Sequence, residues 1–327
     1  MTQKLDINII HTISIIILCF VGSIHIQAKT SELTKIQSDS TLISYLKEFG
    51  IETTSHNELE LLKSGKEKFI DLFQKIETAK HHIHLEYFNF RNDSIANTLF
   101  ELLGKKAQEG VEVRAIFDAF GNASNNQPLK KKHLKAIREK GIEIVQFDPI
   151  RFPWINHVFH RDHRKIVVID GAIGYTGGMN IADYYINGLP EIGEWRDMHV
   201  RIKGEAVAHL QDIFLDMWNK CTKQQISGDA YYPYRTSLIP APSQKNEVAI
   251  VDRYPKKDPK TMRRVYAKAI ESAEQNIQII NPYFTPTRII KKAIKKAARK
   301  GVNVEIMIPG KSDIKFTPDA ALYIANQ

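Results

Sequence analysis

Between His163 and Asn180 the chain reads HRKIVVIDGAIGYTGGMN, and its polar residues are of the types that phosphate chemistry uses. A histidine and a lysine two apart, an aspartate five further on and a Gly-Gly-x-Asn turn fill the spacing HxK(x4)D(x6)GGxN. In an extended strand alternate side chains share a face, which puts His163 and Lys165 about 7 Å apart on one side. A neutral imidazole is a competent nucleophile at phosphorus and an ammonium can neutralise a phosphate oxygen, chemistry that calls on no metal and no cofactor. Asn180 would add neutral donors to the same oxygens, while Gly177 and Gly178 would let backbone approach the ligand. Asp170 has the opposite parity to Lys165 and reads as a turn and scaffold residue more than a substrate contact.

A nucleophilic histidine needs its second ring nitrogen held, usually by a carboxylate that fixes tautomer and orientation. Asp197, in the segment EWRDMHV, is the first candidate for that supporting carboxylate and Glu86 the second. Isolated HxK triplets on strands are mostly exposed polar pairs, and Gly-Gly mostly marks a turn. Here the whole spacing is filled, which favours a site.

These residues need an α/β scaffold. Residues 66–80 have helical apolar spacing, 81–88 alternate as a strand, 94–109 are helical and 111–118 alternate again, which is βαβ patterning and implies a mostly parallel sheet flanked by helices. A helix at 129–140, strands at 142–147, 165–170, 172–176 and 198–202, and a helix at 205–220 complete a first domain over residues 65–240. A second unit over 246–327 echoes the first. IETAKHHIHLEYF at Ile76 to Phe88 aligns with IESAEQNIQIINPYF at Ile270 to Phe284, and VEVRAIFD after Gly110 with VNVEIMIP after Gly301. The duplication runs at a spacing of roughly 190 residues, so the second-copy equivalent of His163 would fall beyond Gln327. The second copy is therefore expected to be incomplete.

With 43% hydrophobic and 25% charged residues, the 327-residue chain has the composition of a globular protein and argues against disordered, collagen-like and polytopic membrane classes. Its net charge of +9 favours polyanionic partners, and Cys19 and Cys221 are too few for a disulfide framework or a thiolate zinc site. The apolar stretch from Ile7 to Ile26 makes residues 1–28 a signal peptide or a single membrane anchor. Leu18 before Cys19 argues against a lipoprotein signal. Residues 29–64 read as a linker with one helix near Leu42 to Phe49. From Val251 to Lys300 there are 14 Lys or Arg against 4 Asp or Glu, and Lys292, Lys295, Lys296 and Arg299 recur at helical spacing opposite Ile289, Ile290, Ala293, Ile294 and Ala297. Such a face is either simply solvated or suited to an anionic membrane.

Taken together, HRKIVVID, GGMN, the Glu86-Tyr87-Phe88 strand end, VRAIFDAFG around Asp118, FHRDHRK, EWRD and NPYFTP at Asn281 to Pro286 resemble the phospholipase D superfamily, and within it the bacterial cardiolipin synthases. The resemblance runs from about residue 65 to the end. It implies a phospholipase D-like layered sandwich of two lobes with paired motifs, in which one histidine attacks the phosphodiester to give a phosphohistidine and the other protonates the leaving alcohol. It carries over His163, Lys165, Asp170 and Asn180. It also implies the reaction, phosphatidyl transfer between two phosphatidylglycerol molecules to give cardiolipin and glycerol. The partners implied are anionic phospholipid and the bacterial membrane surface, with no nucleic acid and no obligate protein partner. Departures from the family pattern are the single motif and at most one N-terminal span where family members often have two. A hydrolase or nuclease of the same chemistry, or an inactive lipid-binding fragment, are the alternatives. On this reading the chain as written has little transferase activity, and a second HxK-bearing segment would restore it.

Overall fold

The computed structural model describes residues 24–25, 41–149, 160–254 and 260–326. Apart from the short strand β1 (Ile24–His25), the expected signal or anchor over 1–28 lies outside the described residues. Among the described residues no helix is long and apolar enough to cross a membrane.

Helix α1, residues 41–48, is the helix expected near Leu42 to Phe49, and it buries Leu42 and Leu46. After β2 (Thr53–Thr54) comes β3 (Asn57–Leu62), and then α2 (Gly65–Glu77). Ser64 caps α2 by accepting from the Glu67 amide, and the Glu67 side chain accepts in turn from the Lys63 amide just ahead of the cap. There follow β4 (His82–Tyr87), α3 (Ser94–Gln108), β5 (Glu112–Asp118), α4 (Ala119–Ser124), α5 (Lys131–Glu139) and β6 (Glu143–Phe147). Next are β7 (Ile166–Ile169), β8 (Ile173–Gly177), α6 (Tyr184–Asn187), β9 (His199–Gly204) and α7 (Val207–Thr222).

One seven-stranded sheet in the order β3-β9-β8-β7-β4-β5-β6 organises this domain. The α/β sandwich is as expected, but the mostly parallel sheet is not. Only β4-β5 and β5-β6 pair in parallel, and the other four pairings are antiparallel. The helical crossovers through α3 and α5 impose the parallel half, whereas the tight turn at Asp170-Gly171 reverses the chain and forces β7 and β8 antiparallel. The linker boundary also moves. Asn57–Leu62 is the edge strand of the sheet, in register with β9 from Asn57↔Gly204 to Leu62↔His199. Its NELELL sequence is short and rich in glutamate, a poor strand former, so the β9 partner settles it as a strand.

The sheet separates two apolar layers. Ile83, Leu85 and Tyr87 of β4 pack with Leu72, Ile76, Leu99 and Leu103 of α2 and α3. On the opposite face α7 brings Leu210, Phe214 and Trp218 against the sheet. The alternate β4 residues that face α7 are polar. His82 Nε2 lies 3.0 Å from Gln211 Oε1, and Gln211 Nε2 lies 2.9 Å from His84 Nδ1. The His84 ring stacks on Phe214, with Tyr231, Glu112 and Arg114 closing the other sides. Burial pushes the His82 pKa down to about 4 and His84 well below its ordinary value. A histidine held neutral in the folded state takes up its proton on unfolding, so the stability it contributes is present above pH 6.5 and is lost as pH falls towards about 4. Urea unfolding at pH 7 and pH 5 should therefore show a loss of about 2 kcal/mol from His82 alone, largely absent in His82→Gln. Equal pH dependence in the variant would refute this assignment.

The second unit holds β10 (Val248–Ala249), α8 (Thr261–Ser272), β11 (Asn276–Ile280), α9 (Arg288–Arg299), β12 (Asn303–Met307) and α10 (Thr317–Ala325). Its helix, parallel strand, helix, parallel strand order repeats that of α2 to β5, around a core that includes Ile270, Ile277, Ala293 and Ala297. Ile290 and Ile294 pack on this core, but Ile289 is exposed, contrary to its expected inward face. β10 pairs with β2 of the first domain, and β1 pairs with β11.

Candidate active site

The ladder between β4 and β7 ends at Glu86↔Ile166, so His163, Arg164 and Lys165 lead into the strand instead of lying within it. This corrects the simple strand-face picture of the HxK pair. The motif stands at the carboxyl ends of β4 and β5, where open α/β sheets bind ligands. Asp118, the last residue of β5, anchors it there. Its carboxylate accepts from the Arg161 guanidinium at 3.0 Å and from the Asp162 and Gly121 amides at 2.8 Å. Phe88 sits under the pair, with its ring edge-on to His163 at 4.3 Å and 5.6 Å from the Lys165 ammonium. Gly121 is required beside it, because a Cβ there would come within 2.2 Å of the Phe88 carbonyl oxygen.

Burial, and then the charge of Lys165, lower the His163 pKa far below its ordinary value, which keeps the imidazole neutral. Lys165 is 2% exposed and donates to the His163 carbonyl oxygen at 3.1 Å. Burial lowers its pKa, opposed by the carboxylates of Asp162 and Asp197. A second buried lysine, Lys68 of α2, feels Asp197 in the same way and donates to the carbonyl oxygens of Met179 at 3.0 Å and Asn180 at 2.9 Å. The Gly-Gly-Met-Asn turn is thus gripped from below by an ammonium.

Each residue singled out from the sequence has a definite place. The Asp170 carboxylate accepts from the backbone amides of Lys80, His81 and His82, and its backbone is left-handed, at φ 53°, within the β7–β8 turn. It braces the start of β4. Asn180 is buried beside Lys68, at the same end of the sheet as Lys165. Protein packs closely on both glycines. A Cβ at Gly177 would lie 2.4 Å from His199 Nδ1, and one at Gly178 would lie 2.1 Å from Asp197 Oδ1.

The two candidate supporting carboxylates lie on opposite faces of the sheet end. Asp197 accepts from the Met198 amide at 2.7 Å, and the charges acting on it are those of Lys165 and Lys68; it is Lys165 whose charge reaches His163. Glu86 belongs to the α7 side of β4, by the alternation that also sends His82 and His84 there, and it accepts from Arg164 at 3.0 Å. Sequence reasoning assigned no role to Lys68, Phe88, Arg164 or His199. Lys68 had a signal, since it occupies the apolar stripe of α2 with Gly65, Phe69, Leu72 and Ile76. His199 is fully buried, and neither of its ring nitrogens has a hydrogen-bond partner among the described residues.

The sequence profile of the family described as cardiolipin synthase, PLD-like domain, matches residues 72–218 and 266–326. The chain belongs to this family. The family match spans both repeats and contains the whole HxK(x4)D(x6)GGxN segment. A cardiolipin synthase of Staphylococcus aureus strain N315 is 41% identical over 266 residues, covering 80% of this chain and 52% of that protein. One from Alkalihalophilus pseudofirmus is 36% identical over 258 residues, covering 79% and 50%. The chain thus spans about half the length of these cardiolipin synthases. Phosphatidylserine synthase from Haemophilus influenzae shares the fold, with a TM-score of 0.56 at 16% identity, covering 84% of this chain and 65% of that structure.

Proposed function

We propose that the site transfers a phosphatidyl group between two phosphatidylglycerol molecules, as a cardiolipin synthase, through a phosphohistidine on His163. The observation that carries this reading is the half-buried His163 ring standing beside the buried Lys165 at the strand ends, its surroundings lowering its pKa, in a chain that matches cardiolipin synthases over four-fifths of its length. A ring nitrogen of His163 attacks phosphorus, and the bond from phosphorus to the headgroup glycerol oxygen breaks. Glycerol leaves once that oxygen takes a proton. A hydroxyl of the second phosphatidylglycerol then attacks, the phosphorus–nitrogen bond breaks and cardiolipin forms. Lys165 offsets the charge gathering on the phosphoryl oxygens, Asn180 offers neutral donors, and Lys68 holds the turn that carries Asn180. Asp197 balances the two lysines. Incubation of the chain, extended by a second HxK-bearing segment, with phosphatidylglycerol labelled in the headgroup distinguishes the outcomes. Release of glycerol with matching cardiolipin supports transfer, and release with phosphatidic acid makes the site a hydrolase.

Membrane association has its own support in α9. Lys292, Lys295 and Arg299 are exposed along it, while Ala293 and Ala297 are buried. Charge attraction to a lipid surface is screened by salt, so replacing these three cations by glutamate is expected to weaken binding to vesicles containing phosphatidylglycerol at low ionic strength. Each cation near such a surface contributes about 1 kcal/mol. Binding to neutral vesicles should not change. Unaltered binding to anionic vesicles would remove α9 from the lipid-facing surface.

A further inference from the structure

A cavity of about 150 Å³ beside the motif is lined by Arg164, Lys165 and Ile166 on one side and by Ile250, Asp252 and Met262 on the other. The second group belongs to the second unit. Across the gap Arg164 donates from Nε and Nη2 to the two carboxylate oxygens of Asp252, at 2.7 Å each, and from Nη1 to Glu86 at 3.0 Å. Asp162 Oδ1 accepts from the Arg164 amide at 3.2 Å. Side-chain exposure is 11% for Arg164, 0% for Glu86 and 32% for Asp252, so one nearly buried guanidinium joins a buried strand residue to a half-buried residue of another unit.

We propose that Arg164 is a positioning residue for His163, tying the end of β4 to the Ala249–Asp252 segment so that seating of that segment sets where the imidazole stands. The proposal rests on the reading of His163 as the nucleophile. Arg164 is bonded through the backbone to both His163 and Lys165, and these residues precede the β7 ladder. Ladder hydrogen bonds therefore do not place the pair; side-chain contacts must. A planar guanidinium fixes two partners at defined angles, which a point-charge ammonium cannot do. A misplacement of about 1 Å at a reacting atom can cost roughly 10²-fold in rate, so a clasp of this kind governs catalysis without touching substrate.

The test uses the full chain with its histidine rings labelled with nitrogen-15, the His163 signals being assigned by their loss in His163→Ala. Asp252→Asn removes the fork while leaving Arg164 its buried partner Glu86. Asp212→Asn is the matched control, because Arg235 and Asp212 form a two-point pair on the surface. The expected result is that Asp252→Asn shifts the His163 ring signals and speeds amide exchange at residues 163–166 by about tenfold, that Asp252→Glu restores both in part, and that the control changes neither. Unmoved ring signals and unchanged exchange in a folded Asp252→Asn protein would overturn the proposal. Should that variant not fold, Arg164→Lys keeps the charge and loses the fork: shifted ring signals with faster exchange then support the clasp, and unmoved signals with unchanged exchange overturn it. Failure of the nucleophile reading shows separately, as a wild-type chain that forms no phosphohistidine.

Discussion

A phosphodiester carrying 4-nitrophenolate as leaving group is expected to release close to one equivalent of nitrophenol per chain in a rapid burst, and His163→Ala is expected to release none. This leaving group departs without a proton, so the burst reads the attack by His163 alone and needs no general acid. Burial keeps the imidazole neutral, and Phe88 packs edge-on against it with Lys165 over the same ring. Removing the ring that forms the covalent bond should abolish the burst, a loss of roughly 10³-fold or more in rate, with an acid-labile phosphohistidine detected by mass spectrometry in the wild type. His163 lies ahead of β7, so circular dichroism should show the variant folded. A burst of normal size from His163→Ala would remove the covalent mechanism.

Lys165→Met should be nearly as damaging in the same assay, with a burst rate lower by about 10² to 10³ and little change in half-saturation. Methionine preserves the buried volume under the motif but removes the charge that meets the developing negative charge on the phosphoryl oxygens. Asp197 and Asp162 also lose their compensating ammonium, so some stability should go with the rate. Lys68→Met is the informative partner. Lys68 holds the Met179 and Asn180 carbonyls, and its loss should loosen the turn and raise half-saturation more than it lowers the rate. A Lys165→Met burst within threefold of wild type would show that phosphate neutralisation comes from elsewhere.

The order of the longer helices and strands, the duplication and the HxK(x4)D(x6)GGxN segment were legible in the sequence because each rests on patterns within short stretches of chain. Alternation marks β4 and β5, 3.6-residue spacing marks α2, α3 and α7, and a motif on one stretch of chain needs no partner to be seen. Sheet direction, the β3 edge strand and the wiring of charges are not local. Whether β7 runs with or against β4 depends on the turn at Asp170, and whether NELELL is linker or strand depends on β9. Glu86 and Asp197 could both be seen as carboxylates near a histidine, but only the packed sheet shows that alternation sends Glu86 to Arg164 and that Asp197 stands with two lysines. Lys68, 111 residues before Met179 in sequence, meets it only after folding, and the Arg164 clasp on Asp252 spans 88 residues. Contacts of that sequence separation are decided when the layers close, since a buried charge is tolerable only where a distant partner is already in place.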